Sequence, residues 1–184
     1  VWLVSKLKEE YGEERAQAIF ESLLQRNKAS IRVTDLSRKE EIKALLDASD
    51  SALSASGLVK EQGHFAGHDL FAEGAITIQD ESSQLVAPTL DLQGEEQVLD
   101  ACAAPGGKTA DMASYLTTGQ VTALDLYDHK LTLIQENAQR LGVADRVQTQ
   151  KLDARKVHEF FGKDQFDKIL VDAPCSGIGL LRRK

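Results

Sequence analysis

Hydrophobic positions recur along this chain at two spacings, and the change between them divides the sequence. In the first stretch Leu3, Val4, Leu7, Ala16, Ile19, Phe20, Leu23 and Leu24 follow a helical period broken near Gly12, which predicts two short helices. Residues 31–34 read as a strand, and Ile42, Ala44, Leu45 and Leu46 as a helix. Between Ser49 and Gly67 the pattern thins into Ser- and Gly-rich sequence with room for two short strands. From Gly74 the rhythm changes. A short strand at 75–78 and a helix start at 80–83 lead into strict alternation. Strands are expected at 98–100, 121–125, 147–152 and 166–172. Helices follow the first to about Leu116, the second through Leu131, Ile134 and Ala138 to Gly142, and the third at 157–161. Alternation of this kind predicts an α/β core with a parallel, doubly wound sheet over 75–184, preceded by a small α+β subdomain over 1–74. That subdomain is a candidate RNA-contacting platform, although its aromatics are scattered singly.

Doubly wound sheets hold ligands at the carboxyl ends of their strands. Asp100, Asp125, Asp153 and Asp172 each stand at such an end. After Asp100 comes a turn of small residues, Cys102, Ala103, Ala104, Pro105, Gly106 and Gly107, then Lys108 and Thr109 opening a helix. Strand, glycine turn and helix start together cradle a polar ligand through close backbone approach and unpaired N–H groups. The dinucleotide fingerprint G-x-G-x-x-G is absent. The G-x-x-x-x-G-K-[ST] phosphate loop matches at Gly107, Lys108 and Thr109 but has Cys102 in place of its first glycine. Four carboxylates suit a ligand with hydroxyl and amino donors and a positive centre, and Asp125 occupies the ribose-binding place of dinucleotide folds. S-adenosylmethionine has these features. The alternative is a P-loop-like nucleotide-binding module, with Lys108 and Thr109 serving phosphate and magnesium and 168–172 as a Walker B-like strand.

Composition narrows the class. The 184 residues are 42% hydrophobic and 28% charged, ordinary for one medium domain with an appendage. No apolar run approaches the roughly 20 residues of a membrane span, and no signal peptide is visible. Two cysteines, Cys102 and Cys175, sit in Pro/Gly-rich loops, which suits reduced thiols and a cytoplasmic protein. His64, His68, His129 and His158 are dispersed, so no metal site is expected. A net charge of −7 argues against a general nucleic-acid coat but leaves room for a local basic face, for which Arg182, Arg183 and Lys184 are candidates.

The two loops taken together, DACAAPGGK at 100–108 and DAPCSGIG at 172–179, closely resemble those of bacterial 16S ribosomal RNA cytosine-5 methyltransferases of the RsmB (Sun/Fmu) type. The resemblance extends along nearly the whole chain. It implies a Rossmann-like class I methyltransferase core, S-adenosylmethionine as cofactor and 16S ribosomal RNA as substrate. It also implies roles: residues Cys102 to Lys108 around the methionine part, Asp125 on the ribose, Asp153 by the adenine, and Asp172 between cofactor and target base. From the residues alone Cys175 is a tempting nucleophile. The resemblance assigns it product release instead and puts the nucleophile in a later Thr-Cys motif, which these 184 residues lack. The chain therefore reads as an internal fragment, truncated after the fourth strand and inactive alone. Its apolar run Ile169, Leu170 and Val171 is then expected at an unpaired edge prone to association.

Overall fold

The computed structural model describes residues 2–24, 28–175 and 177. The chain forms two compact units, Val1–Lys28 with Pro174–Lys184, and Ala29–Ala173. The first contains helices α1 (Trp2–Tyr11) and α2 (Glu13–Leu24). Their break falls at Gly12, whose φ is 79°, and Lys8 pairs with Glu13 across it at 2.6 Å. Ala16 is the one buried residue described in these helices.

The larger unit runs β1 (Ala29–Val33), α3 (Lys39–Leu46), β2 (Ser49–Asp50), β3 (Gly57–Lys60), α4 (Asp69–Ala72), β4 (Ile76–Ile78), α5 (Glu81–Gln84), α6 (Val86–Thr89), β5 (Gln97–Asp100), α7 (Gly107–Ser114), β6 (Gln120–Asp125), α8 (Asp128–Arg140), β7 (Val147–Lys151), α9 (Val157–Phe161) and β8 (Lys168–Leu170). Its first sheet is antiparallel in the order β2-β3-β1-β4. Ile31, Val33, Ile42, Leu58, Leu70 and Ile76 form the core beneath it. Strand β4, expected to lead into the second region, instead closes this sheet with Val33 beside Ile76. Local periodicity finds a strand but not its distant partner.

The second sheet is parallel throughout, in the order β7-β6-β5-β8. Its inner strands bury Val98, Leu99, Val121, Ala123 and Leu124, the near-continuous apolar runs that a sheet covered on both faces requires. Strand β7 reads Val-Gln-Thr-Gln-Lys and, among the described residues, is one edge. Among the described residues β8 is the other edge, with Ile169 54% exposed. Strands β6 and β7 lie on one side of β5 and β8 on the other, so the order reverses beside β5. Crevices of doubly wound sheets open at such a reversal.

Helices α7 and α8 pack Met112, Ala113 and Ala138 into the core of this sheet. Arg140, the last residue of α8, then ties the layer to the first sheet. Its guanidinium donates to the carbonyls of Phe71 and Ile76 at 2.8 and 3.2 Å and to the Thr77 hydroxyl at 3.1 Å. It also lies 3.9 Å from the centre of the Phe71 ring, adding a cation–π contact.

Candidate functional site

The loop after β5 is held from several sides. Ala101 N–H donates to the Leu170 carbonyl on β8 and Ala103 N–H to the Leu124 carbonyl on β6, both at 2.9 Å. The loop is thus stitched to the ends of both strands that flank β5. Gly106 N–H closes a turn onto the Ala103 carbonyl at 2.7 Å. Asn137 of α8 donates to the Pro105 carbonyl at 3.2 Å. Gly106 takes φ 100°, and a Cβ placed there would lie 3.0 Å from Ile134 Cα. Conformation and close approach to α8 both call for glycine there. Around Gly107, by contrast, a Cβ would meet nothing within 4 Å.

Asp100 is 1% exposed. Its Oδ2 accepts from the Thr109 hydroxyl at 2.7 Å, while Oδ1 is buried without a hydrogen-bond partner. Burial raises its pKa, opposed chiefly by the Thr109 hydroxyl. Asp125 accepts from the N–H groups of Leu126 and Tyr127 at 2.7 and 3.3 Å, with Lys130 Nζ 3.8 Å away. All three contacts use Oδ1. Asp172, just beyond β8, pairs with Lys108 from the first turn of α7. This ion pair spans the reversal between β5 and β8. Asp153 caps the turn after β7 and is gripped through both oxygens by the Arg155 guanidinium. That grip holds its carboxyl down at about 2.

The half-buried Cys102 reports how these groups converge. Its thiol pKa is raised, by burial first and then by Asp100, Asp125 and Asp172, with Lys130 opposing. Three of the four strand-end acids thus bear on this thiol. A raised pKa disfavours the thiolate, which is the nucleophilic form. Cys175 is exposed and belongs to the other compact unit. Arg182, Arg183 and Lys184 lie outside the described residues. The P-loop alternative conflicts with this geometry, because the hydroxyl it needs on magnesium belongs to Thr109, which is fully buried and committed to Asp100. A separate cavity of about 410 Å³ opens beside Asp35, Arg38, Glu73 and Arg140. Asp35 is engaged in capping, Arg38 in an ion pair with Glu41 and Arg140 in its clamp.

Comparison with known proteins agrees with this arrangement. The family model for 16S rRNA methyltransferase RsmB/F matches residues 87–184, just over half of the chain. The chain belongs to the RsmB/F family. Probable ribosomal RNA small subunit methyltransferase B of Bacillus subtilis (strain 168) is 45% identical across 100% of this chain and 42% of its own length. Ribosomal RNA small subunit methyltransferase B of Yersinia pseudotuberculosis is 36% identical across 99% of the chain and 43% of its own length. The chain thus spans about two fifths of these relatives. A methyltransferase homolog protein from Pyrococcus horikoshii superimposes with a TM-score of 0.78 at 30% identity, over 95% of this chain and 59% of that one. NSun6 from the same organism, solved with SFG, gives 0.81 at 21% identity over 94% and 70%, a likeness of fold. The Rossmann-like methyltransferase core expected from sequence is the fold observed.

Sequence reasoning placed Thr109 at the start of the helix and offered it to magnesium. Its actual bond to Asp100, nine residues back, had a signal in the strand-end acid facing a helix-start hydroxyl. The Arg155 grip on Asp153 was also local enough to be anticipated. The buried partner of Asp111, described below, had no local signal.

Proposed function

We propose that this RsmB/F chain is the cofactor-binding part of an S-adenosylmethionine-dependent enzyme that methylates carbon 5 of a cytosine in 16S ribosomal RNA in the cytoplasm. The placement of Asp100, Asp125 and Asp172 at the ends of three adjacent strands, with the loop tied to those strands through Thr109, the Ala101 and Ala103 amides and Lys108, carries this reading. Partly exposed carboxylates at Asp125 and Asp172 suit a ligand bearing hydroxyls and a positive centre, and they disfavour a triphosphate. The cofactor supplies a methyl group on a sulfonium.

Residues Cys102, Ala103, Ala104, Pro105, Gly106, Gly107 and Lys108 hold its methionine part, with the open face at Gly107 admitting close approach. Asp125, whose Oδ1 is fixed by two backbone amides, keeps Oδ2 outside those contacts for ribose hydroxyls. Asp153 serves the adenine once Arg155 yields. Asp172, tethered to Lys108, stands between cofactor and base and orients both. Carbon 5 of cytosine becomes nucleophilic only after a thiolate adds at carbon 6. The raised pKa of Cys102 disfavours that role for it, and Cys175 assists product release as the resemblance implies. Neither cysteine follows a threonine, so the chain alone is expected to bind cofactor without turnover.

Calorimetric titration with S-adenosylhomocysteine in magnesium-free buffer tests the reading. The wild-type chain should bind and Asp125→Ala should bind at least tenfold more weakly. Binding of ATP with magnesium but not of S-adenosylhomocysteine would overturn it.

A further inference from the structure

The loop that carries the candidate cofactor residues is anchored through α7 at two places, and only one of them belongs to the sheet it follows. Thr109 ties the first turn of α7 to Asp100 on β5. Asp111 lies two residues on, about 200° around the helix, and its Oδ1 stands 3.2 Å from Nη1 of Arg32. Arg32 sits within β1, opposite Gly57 of β3 and Thr77 of β4. Its Nε donates to Gln79 Oε1 at 2.8 Å. The two charged side chains are only 5% and 4% exposed.

A buried pair of this kind is a poor source of stability, because taking two charges out of water offsets most of their attraction. Here the offset is visible in two ways. Burial outweighs the guanidinium and pushes the Asp111 carboxyl up to about 6, and Asp111 Oδ2 finds no hydrogen-bond partner. An apolar pair would fill the same space without that penalty. What an apolar pair lacks is direction. A planar guanidinium held at Nε by Gln79 offers its Nη1 along one line, and a carboxylate meets it in few orientations. Asp111 is one helical turn from Gly107, the residue with the open face, and a turn of helix transmits displacement with little loss.

We propose that Arg32 and Asp111 are positioning residues for the cofactor loop: through this pair the first sheet fixes where residues 101–108 stand relative to Asp125 and Asp172. The proposal rests on reading that loop as the cofactor site. It gives the first sheet a part in cofactor binding although no residue of that sheet lies in the loop.

The test uses Arg32→Met, Asp111→Asn and the conservative Arg32→Lys, which keeps a charge against Asp111 but loses the fork held by Gln79. Amide resonances of Gly106, Gly107 and Lys108 are followed by NMR, and S-adenosylhomocysteine affinity by calorimetry, well below each melting midpoint. Expected are shifted loop amides in all three variants. Affinity should fall at least tenfold for Arg32→Met and Asp111→Asn, and by a smaller factor for Arg32→Lys. Folded variants whose loop amides and affinity match the wild type would overturn the proposal even if their melting temperatures drop, since a merely structural pair predicts that result. Should Arg32→Met fail to fold, Arg32→Lys carries the same comparison. The amide readout needs no ligand, so a wild-type chain that ignores S-adenosylhomocysteine refutes the cofactor reading while the amide shifts still decide whether the pair sets the loop.

Discussion

Gly106 and Gly107 are neighbours in one turn, yet the structure gives them opposite jobs, and alanine at each position separates the two. At Gly106 the backbone φ is 100°. An alanine held in left-handed territory costs about 1–2 kcal/mol. Its Cβ would also stand 3.0 Å from Ile134 Cα and 3.4 Å from the Ile134 side chain. A helix backbone cannot rotate away, so overpacking adds about 1–3 kcal/mol. Gly106→Ala should therefore lose about 2–5 kcal/mol. Gly107 is the first residue of α7 and its Cβ would meet nothing within 4 Å. Alanine is the better helix former by up to about 1 kcal/mol, so Gly107→Ala should leave stability unchanged or raise it slightly. Its methyl group nevertheless fills the open face assigned to the cofactor, and S-adenosylhomocysteine should bind about tenfold more weakly, a loss of about 1.4 kcal/mol. Urea denaturation and calorimetry on the same preparations give both numbers. A Gly106→Ala chain within about 0.5 kcal/mol of wild type, the range of a neutral surface change, would refute the packing argument. A stable Gly107→Ala chain with undiminished affinity would refute the placement of the cofactor.

Two further substitutions probe the acids. Thr109→Val keeps the shape of a fully buried side chain but removes the hydroxyl donated to Asp100, and should cost about 1.5–3 kcal/mol near neutral pH by urea denaturation. Because the folded pKa of Asp100 lies above its unfolded value, the group's stabilising effect is complete below the unfolded pKa and is lost as pH rises through the folded one. The Thr109 hydroxyl opposes that rise by bonding the charged form, so the Thr109→Val deficit should shrink as pH falls and the carboxylate takes up its proton, and an equal deficit at pH 4 and pH 7 would contradict the assignment. Arg155→Ala removes the guanidinium but keeps the residue-155 backbone N–H on Asp153, so the carboxyl should rise from about 2 part of the way to the ordinary range of about 4 in an NMR titration. A carboxyl that stayed low would show that another donor holds it.

The second sheet was legible because its signals are local. Apolar runs at Val98, Leu99, Val121 and Leu124, each closed by an acid and followed by a helical pattern, fix both the strands and the end of the sheet where the acids collect. Parallel strands buried on both faces leave little else for such runs to be. What escaped was long-range. Strand β4 reads as the beginning of the region that follows it, yet it pairs with β1, and nothing in Ile76-Thr-Ile reports that choice. Arg32 falls in the strand expected at 31–34 and Asp111 in the helix expected up to about Leu116, and the local pattern marks neither as a buried charge. They are buried against each other because the first sheet and helix α7 meet there, which neither segment encodes by itself.

The four strand-end acids look equivalent in sequence, but burial and partners sort them into different functions. Asp100 is sealed in and bonded to Thr109, with its charge disfavoured by burial, so it fastens the loop to the strand. Asp153 is neutralised by its own guanidinium. Asp125 and Asp172 remain, each paired with a lysine from a neighbouring element, Lys130 and Lys108. Their pairing leaves Asp172 54% exposed, and an exposed ion pair contributes little to stability and exchanges partners readily. A bound positive centre therefore finds at Asp172 a carboxylate already set for a cation and a lysine that gives way at small cost. Burial first, and then these carboxylates, raise the pKa of the Cys102 thiol. Under the proposed function, a crevice that holds a sulfonium through carboxylates also disfavours a thiolate beside it, which is a physical reason for the nucleophile to come from elsewhere than Cys102.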